Sequence, residues 1–235
     1  MRYGVALQLV RERVAPFRAT VNRKGHRDRW WLFGEPRVGM RRELAEKQRF
    51  IAVAAHAKRV MFAWCDLWTL PSNATMVCAF DDDYSMGMLS SYAHGAWARS
   101  RSSTLEDRLR YTPTSAFETF PWPDPVTDEQ RERIAEASRQ VIARRQEICV
   151  ENQFGLTKLY NLVDEGAYAD LKALHLELDE AVVAAYDWPK SIAQDADALV
   201  QRLLLLNREI SAGDRPYDPF GTTPKAVAET LDLEG

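Results

Sequence analysis

The densest group of chemically capable side chains lies between residues 23 and 33 of this sequence. Four basic and three large aromatic residues follow one another there: Arg23, Lys24, Arg27, Arg29, Trp30, Trp31 and Phe33. Lysine and arginine neutralise phosphate groups, and exposed aromatic rings stack on bases or sugars. Large aromatic side chains are usually buried, however. The three rings could instead anchor a core that the basic residues border, and we favour this for the two tryptophans.

Three consecutive carboxylates, Asp81 to Asp83, form a second group. Such a cluster can bind a metal ion, but aspartates at the start of a helix also accept from free backbone N–H groups. Helical spacing of apolar residues begins at once with Tyr84 and Met88, which favours the helix cap. His94 lies farther along the same predicted helix, and we predict a structural role for it, with a phosphate contact as the alternative.

Motifs of known catalytic sites are missing from the sequence. It contains no GxGxxG or P-loop spacing, no HExxH pair and no GxSxG turn. A carboxylate-dependent nuclease needs acids beside a lysine, and no spacing joins Glu46-Lys47 to the three aspartates. The chain is therefore predicted to be non-catalytic on its own and to hold no cofactor or metal.

Cysteine content and hydropathy limit the cellular context. Cys65, Cys78 and Cys149 show no CxxC spacing, which indicates neither a disulfide framework nor a zinc site. No apolar run approaches the roughly 18 residues that span a bilayer, and the first residues do not resemble a secretory signal. We therefore expect a cytoplasmic protein that makes no membrane contact.

Charge is segregated along the chain, although the net charge is only −3. Residues 1–110 contain 19 lysines and arginines against 11 acidic residues, which gives +8, and the remainder contains 12 against 23, which gives −11. A basic half of this kind is typical of a surface that faces a polyanion. A basic half that docks on the acidic half explains the numbers as well, and charge alone does not separate the two.

The elements that would position these residues change character at a proline-rich stretch, residues 110–123. The preceding part predicts a helical segment broken near Pro16, a helix at 38–48, three strands, and one helix from Tyr84 to about Ala96. The strands are rich in β-branched and aromatic residues and cover Phe50–Ala54, Val60–Cys65 and Thr75–Phe80. Lys58 and Arg59 fall in a tight connection of the resulting, mostly antiparallel sheet.

Three prolines exclude an ordinary helix within the stretch itself, so we expect a rigid, extended connector that packs its aromatic side chains. Beyond it, helices are predicted at 127–149, opened by a capping box at Thr127, and at about 168–186 and 195–211. The tail from residue 214 is predicted to be loosely ordered. The fold class is thus α+β, a small mostly antiparallel sheet with flanking helices followed by an α-helical C-terminal region.

The order of these segments resembles a known family. The signatures are Trp30-Trp31-x-Phe33, Arg49-Phe50-Ile51-Ala52-Val53, Phe62-Ala63-Trp64-Cys65-Asp66, Asp81-Asp82-Asp83-Tyr84, Arg110-Tyr111-Thr112-Pro113 and Phe117-Glu118-Thr119-Phe120-Pro121-Trp122-Pro123. They resemble the target recognition domain of large adenine-specific DNA methyltransferases related to type IIG and IIL restriction–modification and phage-defence enzymes. Gly155-Leu156-Thr157 and Ala185-Tyr186-Asp187-Trp188-Pro189 are similar to that family's helical C-terminal segment.

The resemblance implies a helical lead-in at 1–22, a DNA target recognition domain at 23–123, a helical domain at 124–213 and a tail at 214–235. The family's catalytic core would lie N-terminal to this chain. That core binds S-adenosylmethionine through a Gly-rich loop and flips adenine against an Asn-Pro-Pro-Tyr-type motif, and neither motif occurs here. The implied function is sequence readout on double-stranded DNA, with methyl transfer by a core on a separate or longer polypeptide.

Nine basic residues are the predicted DNA contacts. The predicted phosphate contacts are Arg23, Lys24, Arg27, Arg29, Arg41 and Arg42. The predicted groove or backbone contacts near the target site are Lys58, Arg59 and Arg99. The competing hypothesis is a non-catalytic interaction protein whose helices dock a partner subunit and whose basic face is their electrostatic counterpart.

Overall fold

A computed structural model of the chain describes residues 3–35, 37–102, 104–105 and 108–221, with the backbone alone at 104, 105 and 108. The chain divides into two compact units, residues 1–46 and residues 47–235. We call them unit 1 and unit 2 and describe each by itself.

Unit 1 is built from short helices. These are α1 (Gly4–Arg13), α2 (Ala15–Ala19), α3 (Lys24–Asp28) and α4 (Val38–Leu44). The predicted break near Pro16 is confirmed, because α1 ends before Val14 and the proline occupies the first turn of α2, where its missing N–H costs nothing. The predicted helix at 38–48 is shorter than expected, and α3 was not predicted.

The aromatic side chains of unit 1 are not core anchors. Trp31 is 51% exposed and Phe33 is 67% exposed, while Trp30 is half-buried and meets Trp31 edge to face at 5.6 Å. The prediction of buried tryptophans is therefore wrong for Trp31, and Phe33, for which both interpretations were open, is exposed as well. The physical reason is the small core, since Leu44 is the one buried side chain among the described residues of this unit.

Unit 2 begins with the predicted three-stranded antiparallel sheet. Its strands are β1 (Arg49–Ala54), β3 (Phe62–Asp66) and β4 (Thr75–Cys78), in the order β3-β1-β4. Ile51 of the central strand pairs with Trp64 on one side and with Cys78 on the other. Residues 50–53 of β1 are all buried, because both faces of this central strand are covered.

A second, smaller sheet follows directly from the first. Its strands are β2 (His56–Ala57), β5 (Thr104–Leu105) and β6 (Arg108–Arg110), antiparallel in the order β2-β6-β5. The sequence did not predict it, because two- and three-residue strands carry too little periodicity to recognise.

Two helices replace the single one predicted after the aspartates. They are α5 (Asp83–Ser90) and α6 (Tyr92–Arg101). Asp82 caps α5 by accepting from the Ser85 N–H at 2.8 Å, which confirms the cap. Ser91 has an extended conformation and caps α6 through the His94 N–H, so the chain restarts a helix there.

The proline-rich stretch packs its aromatic side chains as predicted, with Tyr111, Phe120 and Trp122 at most 3% exposed. It is not extended throughout, since Pro113–Phe117 forms a single π-helical turn. The helices beyond it are α7 (Asp128–Asn152), α8 (Leu156–Asp164), α9 (Ala169–Ala185) and α10 (Ala196–Ala212), with a 3₁₀ turn at Lys190–Ile192. The capping box at Thr127 is present, three of these helices match the predictions, and α8 was missed.

The start of the predicted tail is packed rather than loose. The Tyr217 hydroxyl accepts from the Trp122 N–H at 2.9 Å, and the Asp218 N–H donates to the Asp124 carboxylate at 2.7 Å. The Phe220 ring lies 5.1 Å from that of Trp122. The prediction of loose order therefore does not hold for residues 217–220, and residues 222–235 lie outside the described part of the chain.

The α+β class is confirmed: an antiparallel sheet with flanking helices leads into a helical C-terminal region. The predicted functional boundaries at 22/23 and 123/124 remain predictions. The division into units 1 and 2 reflects which residues pack together, and this does not test where functional domains begin or end. Within the described ranges, no helix has both the length and the apolar character that crossing a bilayer requires.

Candidate nucleic-acid interface

Four of the nine predicted contacts lie on and around α3 in unit 1. Arg23 precedes the helix and Arg29 follows it, and both are exposed. Lys24 pairs with Asp28 one turn on at 2.5 Å, which raises the pKa of Lys24. Arg27 donates to the carbonyls of Val21 and Asn22 at 2.7 and 2.8 Å. Arg27 thus stabilises the segment that leads into α3, and two of its hydrogen bonds are made within the fold.

Arg41 and Arg42 lie on α4, and both are exposed. They are followed by Leu44, whose side chain is buried, so α4 has one buried position and a basic exposed side. This agrees with the predicted amphipathic character of the segment.

Arg59 of unit 2 has a different environment from the one predicted. Its guanidinium forms an ion pair with Asp164 of α8 and lies 5.1 Å from the centre of the Tyr160 ring. The Tyr160 hydroxyl contacts His175 Nε2 at 2.7 Å, and burial lowers the pKa of His175 to about 4, so this imidazole is neutral. Arg59 therefore fastens the β2–β3 turn to the C-terminal helices, and this contact competes with any contact to a ligand.

Arg145 makes a second attachment between the same parts. Its side chain is buried on α7, and its Nη2 donates to the Phe62 carbonyl of β3 at 2.8 Å. The guanidinium also lies 5.8 Å from the Tyr160 ring. Together Arg59 and Arg145 couple β3 and the turn that precedes it to α7 and α8.

Lys58 and Arg99 remain available as predicted contacts. Lys58 lies exposed in the turn between β2 and β3, and Arg99 lies exposed in the last turn of α6. Neither has a hydrogen bond or ion pair within the described part of the chain. Positive side chains in the last turn of a helix also stabilise its dipole, which is the structural role open to Arg99.

Sequence reasoning missed a basic pair on the small sheet. His56 of β2 lies directly opposite Arg110 of β6, and both side chains are exposed, whereas their neighbours Ala57 and Leu109 face inward. Residues directly opposite in an antiparallel pair lie on the same face, with Cβ atoms about 5 Å apart. Because 54 positions separate His56 from Arg110 in the sequence, no spacing pattern predicts this pair.

The two ends of β1 differ in charge. At the Arg49 end, Asp81 forms an ion pair with Lys47, and Asp83 forms ion pairs with Arg49 and Arg139. At the Ala54 end the chain enters β2, with His56, Lys58 and Arg110 exposed. The aspartates are engaged by cations of the fold, so their arrangement serves the helix cap and these ion pairs.

His94 is structural, as predicted. It is fully buried, its Nδ1 lies 2.9 Å from the Leu89 carbonyl, and its Nε2 lies 3.3 Å from the Tyr111 hydroxyl. Burial lowers the pKa of His94 to about 4, so the ring is neutral and offers no charge to a phosphate.

An exposed apolar loop is a further feature that the sequence did not reveal. Trp68 is 95% exposed and Leu70 is 62% exposed in the segment between β3 and β4. Because β3 and β4 both run antiparallel to β1, this segment must return along the length of the sheet. Exposed tryptophans of this kind are typical of contact surfaces.

Comparison with known proteins finds a family model that matches the part of the chain described above. Residues 10–124 match the family model described as "MmeI, target recognition domain". Residues 10–124 are therefore similar to the target recognition domain of that family. The match runs from α1 to the end of the proline-rich stretch. It therefore includes the basic residues of α3 and α4 and those of the small sheet.

Two relatives extend beyond the MmeI-type recognition domain. DNA methyltransferase A of Bacillus subtilis (strain 168) is 31% identical over 144 residues, which is 61% of this chain and 15% of that protein. A solved structure of the type IIL restriction–modification enzyme MmeI in complex with DNA matches with a TM-score of 0.66 and 21% identity. That match covers 88% of this chain and 27% of the MmeI chain, so the two share a fold through the C-terminal helices as well. The chain spans only a fraction of the length of either relative.

Proposed function

We propose that this chain recognises a DNA target sequence for a restriction–modification methyltransferase whose catalytic core is not contained in residues 1–235. The match of residues 10–124 to the MmeI recognition domain carries the proposal. Phosphate contacts from its basic residues would set the position on the duplex, and a few base contacts would specify the sequence.

The finer parts of the proposal concern the reaction. We propose adenine N6 as the methylated position, S-adenosylmethionine as the cofactor of the intact enzyme, a role in phage defence and a cytoplasmic location. The resemblance of the segments between Trp30 and Pro123 to adenine-specific enzymes supports the first three, and the absence of CxxC spacing supports the cytoplasmic location. S-adenosylmethionine would bind the core, which supplies the methyl group to an extruded base.

A selection from a randomised duplex pool tests the recognition function. The purified chain is incubated with the pool at two salt concentrations, and the bound DNA is sequenced. We expect an enriched motif that persists at the higher salt, because base contacts are less sensitive to salt than phosphate contacts. Failure to bind at either salt would refute the proposal in favour of the interaction-protein hypothesis.

Charge reversal of Arg41 and Arg42 on α4 separates the two hypotheses directly. The double variant should lose DNA affinity if these residues contact phosphates. An interaction protein would retain its DNA behaviour and lose partner binding only. Incubating the purified chain with S-adenosylmethionine and DNA should give no methylation, since the chain lacks both core motifs.

A further inference from the structure

We infer that His56, Lys58 and Arg110 form a contact surface for the DNA backbone in unit 2, on the outer face of the small sheet. The inference rests on the proposed DNA-binding function and names the part of unit 2 that performs it. Two of these residues, His56 and Arg110, were not among the predicted contacts.

The backbone pairing brings the three residues together. Arg110 and His56 are directly paired, and Leu109 pairs with Ala57, so alternation turns the basic side chains outward and the apolar ones inward. Lys58 lies two residues beyond His56 at the start of the connection to β3. The Tyr111 N–H donates to the Ala55 carbonyl at 2.9 Å, which continues the pairing into the larger sheet and fixes this face.

Among the described residues, no contact that stabilises the fold explains why His56 and Arg110 face each other. A guanidinium only donates hydrogen bonds, and beside it stands an imidazole rather than a carboxylate. Within the described residues, neither His56, Lys58 nor Arg110 has a side-chain hydrogen bond or an ion pair. Asp164, the carboxylate at the neighbouring turn, is engaged by Arg59. Donors aligned on one face, with no acceptor among the described residues, point to an anionic ligand.

The extent of the basic face favours an elongated anion. Neighbouring strands lie about 4.8 Å apart, so β2 and β5 are separated by about 10 Å across β6. The last turn of α6, with exposed Arg99 and Arg101, precedes β5 by only a few residues. The His56–Arg110 pair and Lys58, two residues farther along the chain, thus offer more than one contact along the sheet, as a run of phosphates requires and a single phosphate does not.

The double variant Lys58→Ala/Arg110→Ala tests the inference in the full chain. A matched control is Arg133→Ala/Lys190→Ala, which removes the same charge from exposed positions on α7 and after α9. Arg133 lies twelve residues from Arg145, about 18 Å along α7. It is therefore distant from the part of α7 that contacts β3. Affinity for a fluorescent duplex is measured by anisotropy over a range of salt concentrations. The duplex carries the enriched motif, or a mixed sequence if none is enriched.

We expect the Lys58/Arg110 variant to weaken binding by roughly 10- to 100-fold at low salt and to reduce the salt slope by about 2, and the control to match the wild type in slope. The Lys58/Arg110 variant should keep the melting temperature of the wild type, which excludes misfolding as the cause. Equal behaviour of both double variants would overturn the inference while leaving the proposed function intact. No binding by the wild type would instead refute the proposed function, and the inference with it.

Discussion

Asp179 is the carboxylate that the fold buries most completely among the described residues. It lies on α9, is 3% exposed, and accepts from the Tyr92 N–H and from Gln194 Nε2, each at 2.6 Å. The Tyr92 N–H is one of the free donors at the start of α6, so Asp179 links α9 to α6 through a helix terminus. Burial raises the pKa of Asp179 to about 7 despite these donors.

The raised pKa predicts a pH dependence of stability with a definite sign. Between about pH 4 and pH 7 the folded chain holds a proton on Asp179 that the unfolded chain has released. The contribution of this group to the free energy of unfolding therefore falls as the pH rises through that window, by at most about 4 kcal/mol. Asp179→Asn keeps an acceptor for Tyr92 and should flatten this part of the pH profile. Urea denaturation of both proteins at several pH values checks this, and parallel profiles would contradict it.

Residue-level features could be predicted from the sequence where the partners are local. Asp82 and Thr127 cap helices through donors three residues away, and both caps were predicted. The pairing of His56 with Arg110 and the ion pair of Arg59 with Asp164 depend on strand register and helix docking. Spacing along the chain contains no information about either, so Arg59 was assigned to DNA and His56 was overlooked.

At the scale of elements, α5 and α7 meet at a glycine. A Cβ atom on Gly87 would lie 2.8 Å from Ile134 Cγ2 and 3.1 Å from both the Ile134 carbonyl oxygen and Ser138 Cβ. Only the missing side chain lets the two helices approach this closely. Gly95 on α6 gives the contrast, because a Cβ there would meet nothing within 4 Å.

We therefore expect opposite effects from alanine at these two positions. Gly87→Ala should destabilise unit 2 by about 1–3 kcal/mol, because a backbone oxygen and a buried isoleucine must move. Gly95→Ala should be neutral or stabilise by up to about 1 kcal/mol, since alanine is the better helix former. Chemical denaturation with unchanged m-values measures both. Equal effects would show that the helix contact at Gly87 adapts freely.

Elements were predicted well where the pattern is long. Three of the four C-terminal helices agree with the sequence to within a few residues, because seventeen or more residues give a clear helical period. The restart at Ser91 was missed, because Tyr84 to Ala96 has continuous helical spacing. Asp179 stabilises that restart from 87 positions away, which only the folded chain reveals.

At the scale of the molecule, one core runs through unit 2 across residue 124, where the match to the recognition-domain family ends. Buried Met86 and Trp97 belong to the same cluster as Ile134, Leu178 and Leu199, which lie on helices beyond residue 124. The structural match to MmeI likewise continues past the recognition domain and covers 88% of the chain. The end of the family match at residue 124 is therefore not the end of a folding unit.

This shared core predicts that residues 1–124 do not fold alone. The fragment would expose the apolar surfaces of α5 and α6 that α7, α9 and α10 cover, and would lose the bond from Arg145 to the Phe62 carbonyl. We expect it to lack the near-ultraviolet circular dichroism and the cooperative unfolding transition that the full chain shows. Mixing it with residues 125–221 should restore both signals, because the same core is then completed from two pieces. A sigmoidal transition of the fragment by itself would show that the recognition domain is autonomous and that its helices serve another purpose.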